Sequence, residues 1–445
     1  MTEALIGRLS SIRDLRVISR TSVMRFRDTN LSLPEIANAL HVDAIVEGSV
    51  IREGGRVRVH AQLIRGATDE HLWSEAYDRD SGDSLTLESE VTESIAREVG
   101  IKLTPQVQRR LEYKPTTNPE AREAYLRGRY FLEKDDAEGA LKCRQYLEEA
   151  VGRDPKYAIA YAGLAPCYDL GASFDLFFDP EAASKIKAAA TKAVELDGGL
   201  AEGHSDLGDY YFERDWDFSN AEREFKRALE LDPNSSVAHS YYSFFLQRIG
   251  QADEAITEIY RARDLDPLSL HMADNVAWAL LYARRYDEAV NQFHSVLEMD
   301  PNFRRSLWGL ARVYELKGMY KEAISECLKI PALPNIDVFT KALFKRRCSL
   351  YEKVYTTTGT EQINRKWFES ARQEIKDAIN RDDDAYAIAT LYAASGADDK
   401  ALDLLERGYA QHDISLLALK VDPRLDNLRS SPRFQHLLGR MNFPE

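Results

Sequence analysis

Between residues 201 and 337 the apolar positions fall three or four apart, in short stripes separated by polar stretches. That spacing collects the apolar side chains on one face of a helix. The stripes come in pairs. Inside each pair the break is polar or carries Gly or Asp ("RIGQADEA", "ARRYDEA", "LKGMYKEA"), which predicts a helical hairpin. Each pair then ends on an Asp-Pro phrase. "ELDPNSS", "DLDPLSL" and "EMDPNFR" set Pro233, Pro267 and Pro301 at intervals of 34 residues. Asp197 precedes Asp232 by 35, with Gly198 in the place of Pro. Proline has no N–H, and its ring clashes with the carbonyl four residues back. It also turns the residue before it away from the α region. The phrase therefore stops the second helix at a fixed point and sets where the next hairpin begins.

The same residue types recur at the same offsets in successive units. Leu207-Gly208, Tyr211, Ala221, Phe225 and Ala228 are followed by Tyr242-Ser243, Leu246, Ala255, Ile259 and Ala262. Val276-Ala277, Leu280, Ala289, Phe293 and Val296 come next, then Leu310-Ala311, Tyr314, Ala323, Cys327 and Ile330. Small residues sit where two helices cross closely, and large ones fill the space beside them. The offsets resemble the tetratricopeptide (TPR) repeat. Four good units run over 201–235, 236–269, 270–303 and 304–337, with two looser ones before them. Residues 338–381 read as a degenerate pair with a polar "TTTGTEQ" loop, and 382–412 fit again through Ile388-Ala389, Tyr392, Ala401 and Leu405. "DPRLDNLRSSPRFQHLLGRM" reads as an ending helix with Pro432 near its start. The expected fold is mainly α, an α-α superhelix (TPR solenoid) preceded by a small α+β domain.

Residues 1–112 follow another pattern. "LRVISR" (15–20) reads as a strand, and "LSLPEIANALHV" (31–42) as a short helix with Pro34 in its first turn. "DAIVEGSVI" (43–51) and "RVRVHAQLI" (56–64) read as strands joined by "REGG", a hairpin signal. "EHLWSEAYD" (70–78) is a further strand, and "SLTLESEVTESIAREVGIKL" (84–103) an amphipathic helix. The phrases "LRVISRTSV", "DAIVEGSV", "RVRVHAQLI" and "HLWSEAYDRD" resemble the TolB-amino-terminal or FlgO-like domain. In bacteria such domains often stand before TPR arrays, as the tail of a transcription regulator, nucleotide cyclase or protein kinase. Relatives begin with an apolar strand that has no counterpart ahead of Thr2. Its absence predicts an unpaired sheet edge, an exposed apolar face and self-association through the N-terminal sheet. The expected organisation is 1–112 as this module, 113–119 as a linker, 120–412 as the TPR array and 413–445 as a C-terminal cap.

Composition narrows the class. The chain has 445 residues, 44% apolar and 30% charged, which suits a folded globular protein. No apolar run is long enough for a membrane span. The N-terminus lacks the pattern of a secretory signal. A cytoplasmic location is expected, or a periplasmic one if an upstream anchor was lost. Residues 1–113 hold 15 Lys/Arg and 18 Asp/Glu, so −11 of the net −14 lies beyond them. Such an acidic body disfavours nucleic acid as the main partner. Cys143, Cys167, Cys327 and Cys348 are scattered with no C-x-x-C, which favours reduced, buried thiols over disulfides or a zinc site.

Signatures of catalysis are missing: there is no phosphate loop, G-x-S-x-G, H-E-x-x-H or kinase motif. "VEGSVIREGG" lies in a hairpin, so its glycines serve a turn. His60 and His71, near Asp69, Glu70 and Glu75, read as a half-exposed sheet face and not as metal ligands. "RDDD" (381–384) reads as a helix cap. No cofactor or metal is expected, and the chain reads as a non-enzyme. In a TPR stack the first helix of each pair lines the concave side. Here those positions bring Phe244, His271, Trp278, Arg305, Trp308 and Arg312 onto one strip, with Tyr241 and Asn275 reaching in from the side. Aromatics and Arg on one strip have the composition of a peptide-binding surface. The expected function is a scaffold that binds a protein or peptide segment along the strip. The alternative is the sensory tail of a transcription regulator, adenylate cyclase or protein kinase.

Overall fold

The computed structural model describes residues 2–27, 29–80, 84–101, 116, 118–134, 137–173, 182–334, Lys341, Phe344, Lys345, Cys348, 385–394 and 396–444. The "TTTGTEQ" loop, the "RDDD" stretch and most of the expected linker lie outside these residues. The described part is mainly α, an array of helix pairs behind a small α+β module.

The module opens with α1 (Thr2–Ser10), α2 (Arg20–Met24) and α3 (Leu33–Leu40). In α3 the Glu35 carboxylate accepts from the Ser32 N–H at 2.8 Å and the Ser32 hydroxyl at 2.7 Å, just ahead of Pro34. β1 (Ala44–Glu53), β2 (Arg56–Arg65) and β3 (Glu70–Asp80) then form one antiparallel sheet in the order β1-β2-β3. Gly54 and Gly55 turn β1 into β2 at φ +55° and +80°, a turn that favours residues without a Cβ. Val57, Val59 and Ala61 of β2 and Tyr77 of β3 are buried with Leu87, Val91 and Ile95 of α4 (Ser84–Glu98) and Leu9 of α1. The strand expected over 15–20 is absent. Residues 15–19 belong to no helix or strand, and α2 begins at Arg20 with Ser19 as its extended N-cap. The Ser19 N–H instead donates to the Leu265 carbonyl at 2.8 Å.

The array consists of α5 (Pro119–Leu132) and α6 (Ala137–Arg153), α7 (Ala158–Ser173) and α8 (Ala182–Leu196), then α9 (Ala201–Tyr210) and α10 (Phe218–Leu231). It continues with α11 (Ser236–Ile249) and α12 (Ala252–Leu265), α13 (Leu270–Tyr282) and α14 (Tyr286–Met299), and α15 (Arg304–Leu316) and α16 (Tyr320–Lys329). α17 (Ala385–Ala394) and α18 (Asp398–Ala410) precede two 3-10 turns, Ile414–Ala418 and Pro423–Leu428, and α19 (Pro432–Met441). The recurring Ala positions 221, 228, 255, 262 and 289 are all buried to 1% exposure or less, as the close helix crossings require.

The Asp of the repeated phrase has its own role. Its carboxylate accepts the backbone N–H two residues on: Asp154 from Lys156, Asp197 from Gly199, Asp232 from Asn234 and Asp300 from Asn302, at 2.9–3.0 Å. This closes a side-chain turn that gives a partner to a loop N–H just beyond the helix end. At Asp266 the pattern differs. The Leu268 N–H donates to the Ser22 hydroxyl at 2.9 Å, and that hydroxyl donates to Asp266 at 2.6 Å. Ser22 of α2 has thus inserted into the turn. One repeat earlier, the Ser10 hydroxyl donates to Asp232 at 2.8 Å and the Asn234 amide donates to the Ser10 carbonyl at 2.8 Å. The N-terminal module is therefore bonded to two consecutive repeat turns.

By contact, residues 1–212, 220–241 and 261–269 form one compact unit. Residues 213–219, 242–260 and 270–445 form the second. A further expectation is corrected. The cysteines are not four separate thiols: Cys143 is paired with Cys167 and Cys327 with Cys348, at Cα separations of 5.8 and 5.6 Å. Cys143 on α6 and Cys167 on α7 stand on consecutive helices, and a spacing of 24 or 21 residues gives no sign of such pairing.

Candidate partner-binding site

Seven of the eight residues expected on the binding strip fall in the second unit. Tyr241, half-buried on α11, belongs to the first. α13 presents His271, Asn275 and Trp278 at spacings of four and three, and α15 presents Arg305, Trp308 and Arg312 at three and four. These spacings keep each trio on one helix face.

The polar members hold one another. Arg305 donates to the Asn275 side-chain oxygen at 2.5 Å and lies 3.0 Å from the Asp274 carboxylate. Ser306 donates to the same carboxylate at 2.5 Å. Burial raises the Asp274 carboxyl above the ordinary carboxylate range, against the pull of Arg305, Ser306, His271 and Trp278. His271 meets Phe303 edge-on at 5.3 Å, and both His271 and Arg305 remain exposed.

The aromatic members are half-buried. Trp278 packs edge-on to Phe293 at 5.7 Å, and Trp308 edge-on to Phe344 at 5.3 Å. The Arg312 guanidinium lies 4.7 Å over the Trp308 ring and donates to Glu315 at 2.7 Å. Phe244 lies under the Arg248 guanidinium at 4.7 Å, and Tyr282 faces that guanidinium at 4.4 Å. Arg248 Nη1 is buried without a hydrogen-bond acceptor among the described residues, so it is a donor in reserve.

The far wall of this surface is the chain's own C-terminal turn, which pattern reasoning missed. Trp278, Leu281, Tyr282, Trp308, Arg312 and Leu316 enclose a cavity of about 100 Å³ together with Asp422, Pro423 and Arg424. Asp422 repeats the array's side-chain turn, accepting the Arg424 N–H at 3.0 Å. It also accepts the Tyr386 hydroxyl at 3.0 Å and pairs with the Arg424 guanidinium at 2.5 Å. Burial alone would push the Asp422 carboxyl up, but the charge and hydrogen bonds of Arg424 bring it down to about 2. Arg284 clasps Asp426 through two bonds of 2.6 and 2.8 Å and so fixes the same turn to the end of α13. A further Asp-Pro phrase at "VDPRLDN", beyond the last repeat, was the available signal.

His60 Nε2 lies 3.1 Å from the Ser74 hydroxyl, and His71 is exposed. Among the described residues no group of three His, Cys, Asp or Glu side chains is placed to hold a metal ion. No helix among them is long and apolar enough to cross a membrane.

Two family models, both described as tetratricopeptide repeat, match residues 224–257 and 277–335. A protein of Rhizobium meliloti (strain 1021) named putative adenylate cyclase 3 is 32% identical over 212 residues, 46% of this chain. The chain spans only 35% of that relative's length. Among solved structures, YrrB, described as a TPR protein with an unusual peptide-binding site, is 22% identical. That likeness covers 45% of this chain and 97% of YrrB, at a TM-score of 0.30. The human IFIT1 dimer with m7Gppp-AAAA is 16% identical over 73% of this chain and 77% of that one, at a TM-score of 0.43. The matched segments place tetratricopeptide repeats at residues 224–257 and 277–335, within the run of helix pairs.

Proposed function

We propose that the chain is a non-catalytic interaction scaffold. In this reading an extended segment of a protein partner lies along α13 and α15 in the second unit. Its apolar or aromatic side chains contact Trp278 and Trp308, and its backbone or carboxylates meet Arg305, Asn275 and Arg312. Phe244 and His271 flank the path. The observation that carries the reading is the cavity lined jointly by Trp278, Trp308 and Arg312. Half-buried aromatics beside guanidinium groups are the usual anchors of a binding hot spot. The buried, unsatisfied Arg248 donor adds a place for a partner's carbonyl or carboxylate.

The test uses peptides selected on the full chain from a random library and titrated calorimetrically. Trp278→Ala with Trp308→Ala should weaken binding at least about tenfold while the circular dichroism spectrum stays unchanged. Unaltered affinity in that variant would remove the reading.

A second reading is favoured by the 32% identity to the putative adenylate cyclase. Here the chain is the sensory or regulatory part of a larger cyclase, kinase or transcription regulator, and its first 112 residues are a TolB-amino-terminal/FlgO-like module. Coding sequence in frame upstream that specifies a catalytic or DNA-binding domain would support it. A stop codon close upstream of Met1 would count against it.

A further inference from the structure

β1 lies at the edge of the sheet, and its free side pairs with no strand among the described residues. The register sets Val46 opposite Leu63 and Val50 opposite Val59, so both valines point to the core-facing side of the sheet. Leu63 and Val59 are 2% and 3% exposed, but Val46 and Val50 are 38% and 45% exposed. The reason is that α4 packs on β2 and β3, and the core there contains no residue of β1. On the opposite face of the same strand Ile51 is 54% exposed. An unpaired edge with apolar side chains on both faces is a template for another strand.

The sequence of the strand says which one. "IVEGSVI" (45–51) has the same apolar pattern in both directions about Gly48. Two copies run antiparallel across a two-fold axis at Gly48 would set Val46 against Val50 and Ile45 against Ile51, each twice. Glu47 then meets Ser49, so no like charges face each other over the paired span from Ala44 to Arg52. Sliding the register by two residues one way sets Glu47 against Glu47. Sliding it the other way sets Val46 against Arg52 and Ile45 against Glu53. A one-residue slip would mix the two faces of the sheet. We propose that β1 pairs with β1 of a second copy in the Gly48-centred register, joining two three-stranded sheets into one of six strands. The interface is isologous, as closed two-fold symmetry requires. A single strand-to-strand contact lies at the small end of protein interfaces, so the dissociation constant is expected in the range of about 1–100 μM. This inference does not depend on the α13–α15 surface.

The experiment is sedimentation equilibrium of the full chain from about 1 to about 200 μM. Its mass should climb from one chain to two. Val46→Glu alone and Val50→Lys alone should each raise the dissociation constant at least about tenfold, because each places two charges against valines. Val46→Glu with Val50→Lys should restore dimerisation, since the introduced charges face each other twice across the axis. Both positions are exposed, and circular dichroism would verify that the fold is kept. A wild type that stays at one chain's mass throughout overturns the proposal. So do single variants that dimerise normally, or a double variant no tighter than either single.

Discussion

Gly309 of α15 stands where that helix crosses α14. A Cβ added there would lie 2.2 Å from Phe293 Cζ, 2.4 Å from Cε1 and 2.9 Å from Cε2. Carbon atoms in good contact are about 3.5–4.0 Å apart, so the methyl of Gly309→Ala needs more than about 1 Å of retreat. The ring has nowhere to go: Phe293 is 0% exposed and the edge of Trp278 abuts it at 5.7 Å. Forcing a group into a packed core costs about 1–3 kcal/mol, and this clash belongs at the upper end. Replacing Gly by Ala inside a helix returns about 1 kcal/mol of propensity. The expected net loss is about 2 kcal/mol. Gly439 of α19 provides the control, because nothing lies within 4 Å of a Cβ added there. Gly439→Ala should therefore gain about 0.5–1 kcal/mol. Urea unfolding followed at 222 nm reads both. Phe293→Leu combined with Gly309→Ala should cost less than the two separate changes, by about 1 kcal/mol or more. Gly309→Ala equal to or more stable than wild type would refute the close crossing of α14 and α15.

Four further outcomes are expected. Ser22→Ala removes both bonds that tie α2 to the Asp266 turn and leaves that buried carboxylate short of a donor; a loss of about 1–3 kcal/mol should appear in the same unfolding assay. Asp422, at about 2 when folded against an ordinary 3.8, contributes stability that is full above about pH 4 and fades as pH falls towards 2; that is about 2 kcal/mol, and Asp422→Asn should flatten this part of the acid-unfolding curve. Asp274 works in the opposite sense, because its raised folded value means its contribution falls as pH rises through the acidic range. Protein purified without reductant and denatured in iodoacetamide should take up label at none of its four cysteines, while prior reduction should open all four; equal labelling in both would contradict the two pairs.

Much of the array was legible because its information is local. The spacing of apolar residues, the small residues at crossings and the Asp-Pro stops act within one hairpin or between neighbours, so periodicity alone predicts the helix pairs. The hairpin at "REGG" was equally visible, since Gly54 and Gly55 take backbone angles that side chains resist. The trios His271, Asn275, Trp278 and Arg305, Trp308, Arg312 could be set on their helix faces for the same reason. What the sequence could not supply depends on residues far apart meeting through the fold. Residues 15–19 have the look of a strand, yet Ser19 bonds to the end of a repeat helix 246 residues away. Ser10 and Ser22 carry no mark of the aspartates they bind. Cys143 and Cys167 become a pair only because α6 and α7 bring them together. The Asp422–Arg424 turn forms a wall beside Trp278, Trp308 and Arg312 because the chain returns there after the last repeat. Local patterning thus determined which segments are helices and where they stop, while tertiary packing decided which polar groups find partners and what covers the aromatic strip.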